Sequence, residues 1–175
     1  QVTTATPEAA GGTGTSYRIV CLPIRHWTRR RWTAHRRLWS SWAVLPHGPA
    51  GAAAPESQAG ASSGVYFAGD SGWFGGFAEI GRRLGPFRAS LLPIGAYEPR
   101  WFMASSHMNP EEAVRAYRAL GGRGAFIGTH WGTFRLTDED PLEPPERARK
   151  AWERADLPAG DLHLPPIGGT VRLSA

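Results

Sequence analysis

Cysteine is nearly absent from this 175-residue chain, which contains a single one, Cys21. One cysteine excludes an internal disulfide framework and is typical of a reducing compartment, so we expect a cytoplasmic location. Cys21 lies in the apolar run of residues 19–22, which favours a small buried core residue over a reactive thiol. Long hydrophobic runs are also lacking, since none approaches the roughly 20 residues that a membrane-spanning helix needs.

Lysine is equally scarce, because all but one of the 20 basic residues are arginines. The net charge is +5 and the chain has 22 glycines and 15 prolines, a usage that GC-rich coding produces without any specific partner. Residues 25–39, RHWTRRRWTAHRRLW, nevertheless form a basic and aromatic patch. Such a patch could bind nucleic acid, make a peripheral membrane contact with anionic lipids, or be a solvated arginine run. Nucleic acid is the least favoured partner.

Two segments lack the hydrophobic pattern of folded structure. Residues 1–16 are small and polar and predict a disordered lead-in. Residues 46–64 are rich in Pro, Ala, Gly and Ser and predict a flexible loop. The hydrophobic content of the whole chain, 41%, is that of a globular protein, and residues 17–175 have the length of one domain.

Short apolar strands alternate with amphipathic helices along that domain, which predicts an α/β layered fold with helices packed on a sheet. The clearest helix start is Asn109, which can cap a helix whose first residue is Pro110 and whose capping-box carboxylate is Glu112. Other helices are expected after residue 76 and at about residues 145–155. Strands are expected at residues 17–24, 38–45, 65–68, 91–94 and 125–129, with short ones near Leu162 and Val171.

Three polar residues each follow a predicted strand: His26, Asp70 and His130. Strand ends converge on one edge of an open α/β sheet, so these side chains can meet in space. Two imidazoles and a carboxylate are ligands that zinc takes, and a carboxylate can bridge two metal ions. Each residue alone is more often a surface histidine or a turn aspartate, so spacing by itself leaves the metal site open.

Five motifs occur in order around these residues. They are VYFAGDSG at 65–72, PIGAYEPRWFM at 93–103, HMNPEEA at 107–113, HWGTF at 130–134 and LEPP at 142–145. With the upstream HW at 26–27, RR at 29–30 and LW at 38–39, they make residues 17–160 resemble metallo-β-lactamase-fold hydrolases. The resemblance is to the N-acylphosphatidylethanolamine-hydrolysing phospholipase D type.

The resemblance implies an αββα sandwich with a two-zinc site between its sheets. By position, His26 resembles a ligand of one zinc ion, His130 a ligand of the other and Asp70 the bridging catalytic carboxylate. His107 resembles a catalytic histidine that contacts the substrate phosphate or assists proton transfer, although a loop histidine before a helix is the plainer interpretation. The implied reaction is hydrolysis of a phospholipid phosphodiester, releasing phosphatidic acid and an N-acylethanolamine.

One signature of that family is missing. Its His-x-His-x-Asp-His motif, which supplies ligands to both metals, has no counterpart upstream of His26. The chain therefore resembles the C-terminal half of a family member, with an incomplete zinc site and with one sheet of the sandwich absent. The alternatives are a catalytically inactive fragment or a basic module that binds lipid or nucleic acid through residues 25–39.

Overall fold

The computed structural model describes residues 16–27, 29–30, 33–34, 38–47 and 64–173. The predicted lead-in at 1–16 and the predicted loop at 46–64 lie outside the described residues, apart from their end positions. In the described part of the chain, strands and helices alternate as the hydrophobic pattern predicts.

The sheet strands are β1 (Ser16–Pro23), β4 (Ser40–His47), β5 (Val65–Phe67), β6 (Ala89–Pro93), β7 (Ala125–Thr129) and β8 (Leu162–His163). A separate ribbon of two short strands, β2 (Arg29–Arg30) and β3 (Thr33–Ala34), follows β1. The helices are α1 (Gly76–Leu84), α2 (Arg100–Met103), α3 (Pro110–Ala119) and α4 (Glu143–Arg154), with a 3₁₀ turn at Ala159–Asp161.

One mixed sheet of six strands, in the order β1-β4-β5-β6-β7-β8, forms the centre of the fold. β1, β4 and β5 pair antiparallel, while β5 to β8 run parallel and are joined by α1, α3 and α4. Parallel strands need such crossover helices, which then cover the sheet. The predicted α/β class is therefore confirmed.

Helix α3 begins where the local sequence predicts. The Asn109 side chain accepts a hydrogen bond from the backbone N–H of Glu112 (2.8 Å). The Glu112 carboxylate in turn accepts a hydrogen bond from the backbone N–H of Asn109 (3.1 Å). This reciprocal pair satisfies two N–H groups that the first helical turn would otherwise leave without partners. The helix start is set by residues within four positions of each other, so the sequence suffices to locate it.

The predicted elements differ from the structure in three respects. No strand forms near Val171, which lies in an irregular segment after β8, and the last helix begins at Glu143 rather than at 145. The short helix α2 and the β2–β3 ribbon were not predicted. These elements are two to four residues long, too short to show a hydrophobic period.

The core lies between the sheet and its helices. Aromatic rings fill it, and Tyr117, Phe126 and Trp152 pack on one another with ring centroids 4.9–5.9 Å apart. Burying each large side chain stabilises the fold by about 1.5–3 kcal/mol relative to leaving it in water. The largest fully buried side chains are Trp152, Tyr66, Tyr97, Tyr117, Phe77, Phe87, Phe126, Leu92, Ile94, Met108, Leu120 and Pro93.

Part of the opposite face of the sheet is apolar and exposed. We call this surface, formed by Ile19, Cys21, Trp42, Val44 and Phe67, the open face. Cys21, Trp42 and Phe67 lie side by side across β1, β4 and β5, and Ile19 pairs with Val44 next to them. Trp42 and Phe67 are 41% and 44% exposed. Cys21 is half-buried on this face, so its predicted place in the core was wrong: strand alternation turns it away from the helices.

Among the described residues, no helix has both the length and the apolar character required to cross a bilayer.

Candidate metal centre

Four polar side chains gather at the carboxyl edge of the sheet. His26 follows β1, Asp70 follows β5 and His130 directly follows β7. β1 is antiparallel to β4, which is antiparallel to β5, so all three strands end at this edge. His107 joins them from the segment that precedes α3.

Asp70 lies between two of the histidines. Its Oδ2 is 3.9 Å from Nε2 of His26, and its Oδ1 is 3.4 Å from Nε2 of His130. The ring of His107 lies across the cluster, with its centroid 5.0 Å from that of His26 and 5.3 Å from that of His130. The structure thus brings together all four residues that the sequence singled out.

Backbone contacts set which nitrogen of His26 faces the carboxylate. Nδ1 of His26 lies 3.0 Å from the carbonyl oxygen of Ser106. A carbonyl oxygen accepts hydrogen bonds and cannot donate them, so Nδ1 carries a proton, and Nε2 is the nitrogen left to bind a metal. An imidazole with Nδ1–H bound to a carbonyl is the common arrangement behind a metal-ligating histidine.

His130 adopts a backbone conformation that is rare for its residue type. Its φ is +60°, in the left-handed region, at the point where β7 ends. Such a conformation costs a non-glycine residue about 1–3 kcal/mol, and it is found mainly at functional sites. Gly95 permits it, because a Cβ there would lie 2.3 Å from the His130 carbonyl oxygen.

The charges of the cluster support one another. The hydrogen bond between His130 and Asp70 raises the pKa of His130 and lowers the pKa of Asp70, since it favours the charged form of both groups. Burial, aided by the neighbouring His130 and His26, lowers the pKa of His107 to about 4. His107 is therefore a neutral imidazole near pH 7.

Two buried ring nitrogens lack hydrogen-bond partners within the described part of the chain: Nδ1 of His107 and Nδ1 of His130. Leaving a buried polar atom without a partner costs about 1–3 kcal/mol, so such atoms mark places where a further group belongs. Both atoms belong to the cluster.

The donor set fits part of a zinc site. Among the described residues, no group of three or more His, Cys, Asp or Glu side chains is arranged to hold a metal ion. One imidazole and one oxygen of Asp70 are present on each side, whereas a catalytic zinc ion takes three protein ligands. The imidazole nitrogens and the carboxylate shared between them are of the right chemistry, but further ligands are needed on both sides.

A cavity of about 270 Å³ opens beside His130. Glu139 lines this cavity. Its buried carboxylate accepts hydrogen bonds from the backbone N–H groups of Tyr97 (3.1 Å) and Glu98 (3.0 Å). The sequence does not predict this cavity, because its walls come from the loops that follow two different strands. The lining residues are Gly95, Ala96, His130, Trp131, Gly132, Thr133, Phe134, Arg135, Leu136, Thr137, Glu139, Pro141 and Pro144.

The two imidazoles and the carboxylate are ligand types that zinc takes, and they lie at the carboxyl ends of the strands, where open α/β sheets bind their ligands. Residues 2–131 match the family described as the beta-lactamase superfamily domain, and the chain belongs to this hydrolase family. The resemblance seen in the sequence motifs is thereby confirmed.

Two curated relatives and one solved structure show how far the likeness extends. The chain is 41% identical to N-acyl-phosphatidylethanolamine-hydrolyzing phospholipase D 1 of Caenorhabditis elegans over 148 residues, which are 82% of this chain and 37% of that protein. It is 37% identical to a UPF0173 metal-dependent hydrolase of Desulfitobacterium hafniense over 88 residues, which are 50% of this chain and 33% of that protein.

The crystal structure of the metallo-beta-lactamase fold protein YhfI from Bacillus subtilis superposes on 97% of this chain with a TM-score of 0.56. The sequence identity is 16%, so the likeness is one of fold. This chain spans 51% of that structure and about a third of the length of the two curated relatives.

Proposed function

We propose that this chain supplies one half of the site of a zinc-dependent phosphodiesterase that acts on N-acylphosphatidylethanolamine-type phospholipids. The observation that carries the proposal is the position of Asp70, whose two oxygens face His26 and His130 separately. The name of the C. elegans relative supports the substrate class. The fold alone does not, because one fold serves many reactions.

In this proposal His26 and His130 would each help to hold a zinc ion, and Asp70 would contribute to both sites. Such a zinc pair would supply a nucleophilic water near neutral pH and stabilise the charge of the phosphoryl group. The protein's part is to hold the three ligands at fixed positions, which the Ser106 carbonyl does for His26 and the left-handed backbone does for His130.

His107 is proposed as a catalytic residue that contacts the substrate phosphate or assists proton transfer. Its ring centroid lies 5.0 Å from that of His26 and 5.3 Å from that of His130, so a phosphodiester bound beside those two residues would be close to it. Because the imidazole is neutral, it can donate from one nitrogen and accept at the other.

The partner we propose is a phospholipid, with peripheral contact between the protein and the membrane. Helix α2 carries Trp101 and Phe102, which are 87% and 62% exposed and pack ring to ring. The residues after α2 lead directly to His107, whose N–H donates to the Met103 carbonyl (2.9 Å). Exposed aromatic rings beside a site favour the boundary between water and lipid.

The remaining ligands are proposed to come from polypeptide outside these 175 residues. The test is to read the coding region upstream of Gln1 for an in-frame His-x-His-x-Asp-His segment. The extended protein and the 175-residue chain are then compared for zinc content and for hydrolysis of N-acylphosphatidylethanolamine in vesicles. We expect two zinc ions and activity in the extended protein, and weak zinc binding without activity in the shorter chain.

Asp70→Asn in the extended protein should lower hydrolysis by more than about 100-fold, because loss of an outer-shell partner alone typically costs about 10- to 100-fold. Asp156→Asn, the same change of side chain at an exposed position after α4, is the matched control and should stay active. Two tightly held zinc ions in the 175-residue chain, or full activity in the Asp70 variant, would contradict the proposal.

Residues 25–39 were the basis of the alternative binding module. Six of the fifteen residues of that segment lie outside the described residues, including three of its arginines, so the alternative stays a prediction.

A further inference from the structure

The chain between β1 and His26 is held by side chains at each step. The hydroxyl of Ser41 donates to the carbonyl oxygen of Pro23 (3.4 Å), and the indole N–H of Trp39 donates to that of Ile24 (2.7 Å). The approach to His26 is thereby tied to the start of β4 and the residue before it. A different residue, Ser71, connects this segment to the segment of Asp70.

Ser71 joins the segment of His26 to the segment of Asp70. Its fully buried Oγ accepts the N–H of Arg25 (3.2 Å) and donates to the Gly72 carbonyl (2.8 Å). The N–H of Gly72 in turn donates to the Arg25 carbonyl (2.7 Å). The hydrogen bond between Arg25 and Ser71 therefore joins the residue before His26 to the residue after Asp70.

The same turn meets the segment that carries His107. The backbone carbonyl of Ser71 accepts the N–H of Met108 (2.9 Å). A Cβ at Gly72 would lie 2.8 Å from the Ser105 carbonyl, so only glycine allows the two segments to approach so closely. Ser71 therefore sits where the backbones leading to three members of the cluster come together.

We propose that Ser71 is a positioning residue, whose hydroxyl sets the place of His26 relative to Asp70. The Asp70 side chain is 45% exposed and receives little restraint from packing, so its position depends on the backbone next to it. Ligands of a metal or catalytic site must be held within about 0.5 Å of their working geometry. The inference rests on the proposed function, since it concerns the same three ligands.

Ser71→Ala in the 175-residue chain tests the inference, with Ser90→Ala as the matched control. Ser90 is an equally buried serine in β6, outside the cluster. Two readouts are measured at neutral pH: the ring ¹⁵N and ¹H chemical shifts of His26, and the amide exchange rate of Arg25. A third is zinc affinity by competition with a chelator. Chemical denaturation reports how much each variant loses in overall stability.

We expect Ser71→Ala to shift the His26 ring signals, to speed Arg25 amide exchange and to weaken zinc binding about 10-fold or more. Ser90→Ala should lose similar overall stability and change none of the three. Ser71→Thr, which keeps the hydroxyl, should restore them; if its extra methyl group prevents folding, the Arg25 exchange rates in the two alanine variants decide.

Unchanged His26 ring signals and Arg25 exchange in Ser71→Ala would overturn the inference, and so would equal changes in Ser90→Ala. If the wild-type chain binds no zinc, the proposed function is weakened, but the ring signals and the exchange rates still test the role of Ser71. The two failures are thus distinguishable.

Discussion

His130 combines two properties at one position: it is a proposed ligand and its backbone is left-handed. If the backbone of His130 were extended like that of β7, its imidazole would point in a different direction. The change to positive φ at the first residue after β7 instead directs the imidazole back to Asp70, 3.4 Å away. We interpret the conformational cost as the consequence of placing a ligand there.

A pair of substitutions separates the ligand role of His130 from its backbone role. His130→Asn and His130→Ala both remove the imidazole, so zinc affinity should fall similarly in the two. Asparagine tolerates positive φ better than alanine does, so His130→Asn should be more stable by roughly 0.5–1 kcal/mol. Chelator competition and urea denaturation are the measurements. Equal stability of the two variants would show that the left-handed backbone is not maintained.

At the scale of elements, two loops are joined by one carboxylate. Glu139, in the loop after β7, accepts the N–H groups of Tyr97 and Glu98 in the loop after β6. The Tyr97 hydroxyl donates to Glu143 of α4 (2.9 Å), which strengthens the same junction. The cavity beside His130 lies at this junction and depends on it for its shape.

Glu139 makes the stability of the junction dependent on pH. Burial by itself would raise its pKa, but hydrogen bonds from Thr137 and from the backbone N–H of Glu98 outweigh burial and lower the pKa. A carboxyl whose folded pKa is lowered stabilises the fold above its unfolded pKa, which is 4.5 for a free glutamate. That contribution is lost as the pH falls below this value.

Glu139→Gln should therefore reduce stability near pH 7 and flatten its decline between about pH 5 and pH 3. Urea denaturation across that range measures the slope. Glu153→Gln, at an exposed position of α4, is the control and should keep the wild-type slope. An unchanged slope in Glu139→Gln would mean that the carboxylate does not stabilise the loop junction.

Helix α2 is an element whose apolar side chains point into solvent. Trp101→Ser should weaken binding to anionic phospholipid vesicles by about tenfold, since inserting a large apolar side chain contributes about 1.5–3 kcal/mol. Ile167→Ser changes a side chain of similar exposure, 72%, far along the chain and should leave binding unchanged. Vesicle sedimentation is the measurement, and equal binding by both variants would exclude α2 as the lipid contact.

At the scale of the whole molecule, the sheet has one covered face and one open face. Contiguous exposed apolar residues in a protein of this size mark a surface that another element covers. The chain spans 37% of the C. elegans relative and 51% of the Bacillus structure, so about half or more of each lies outside the match. We propose that a second sheet from outside these residues covers the open face.

Trp42→Lys gives opposite predictions for the two forms of the protein. In the 175-residue chain the added charge should reduce self-association, which analytical ultracentrifugation measures. In a longer protein with the second sheet, the same substitution should destabilise the fold by several kcal/mol, because a charge would be buried without a partner. Leu142→Lys, at a side chain 73% exposed elsewhere, should do neither. A stable longer protein with Lys at position 42 would contradict the proposal.

Local signals allowed much of the architecture to be predicted from the sequence. Period-two strands, the Asn109–Glu112 capping box and the crossover pattern depend on residues close together in the chain, so they determine the α/β class and the start of α3. The same pattern places His26, Asp70 and His130 at one edge, because strand ends are visible as the points where apolar runs stop.

Tertiary structure decided what those residues do at that edge. Sequence spacing does not reveal that Nε2 of His26 faces Asp70, that His130 is left-handed, or that Ser71 joins two loops. Ser71 and Arg25 are 46 residues apart, and their contact exists only because β1, β4 and β5 pair in one register. The sequence thus determined which side chains reach the site, and the long-range pairing of strands decided their orientation.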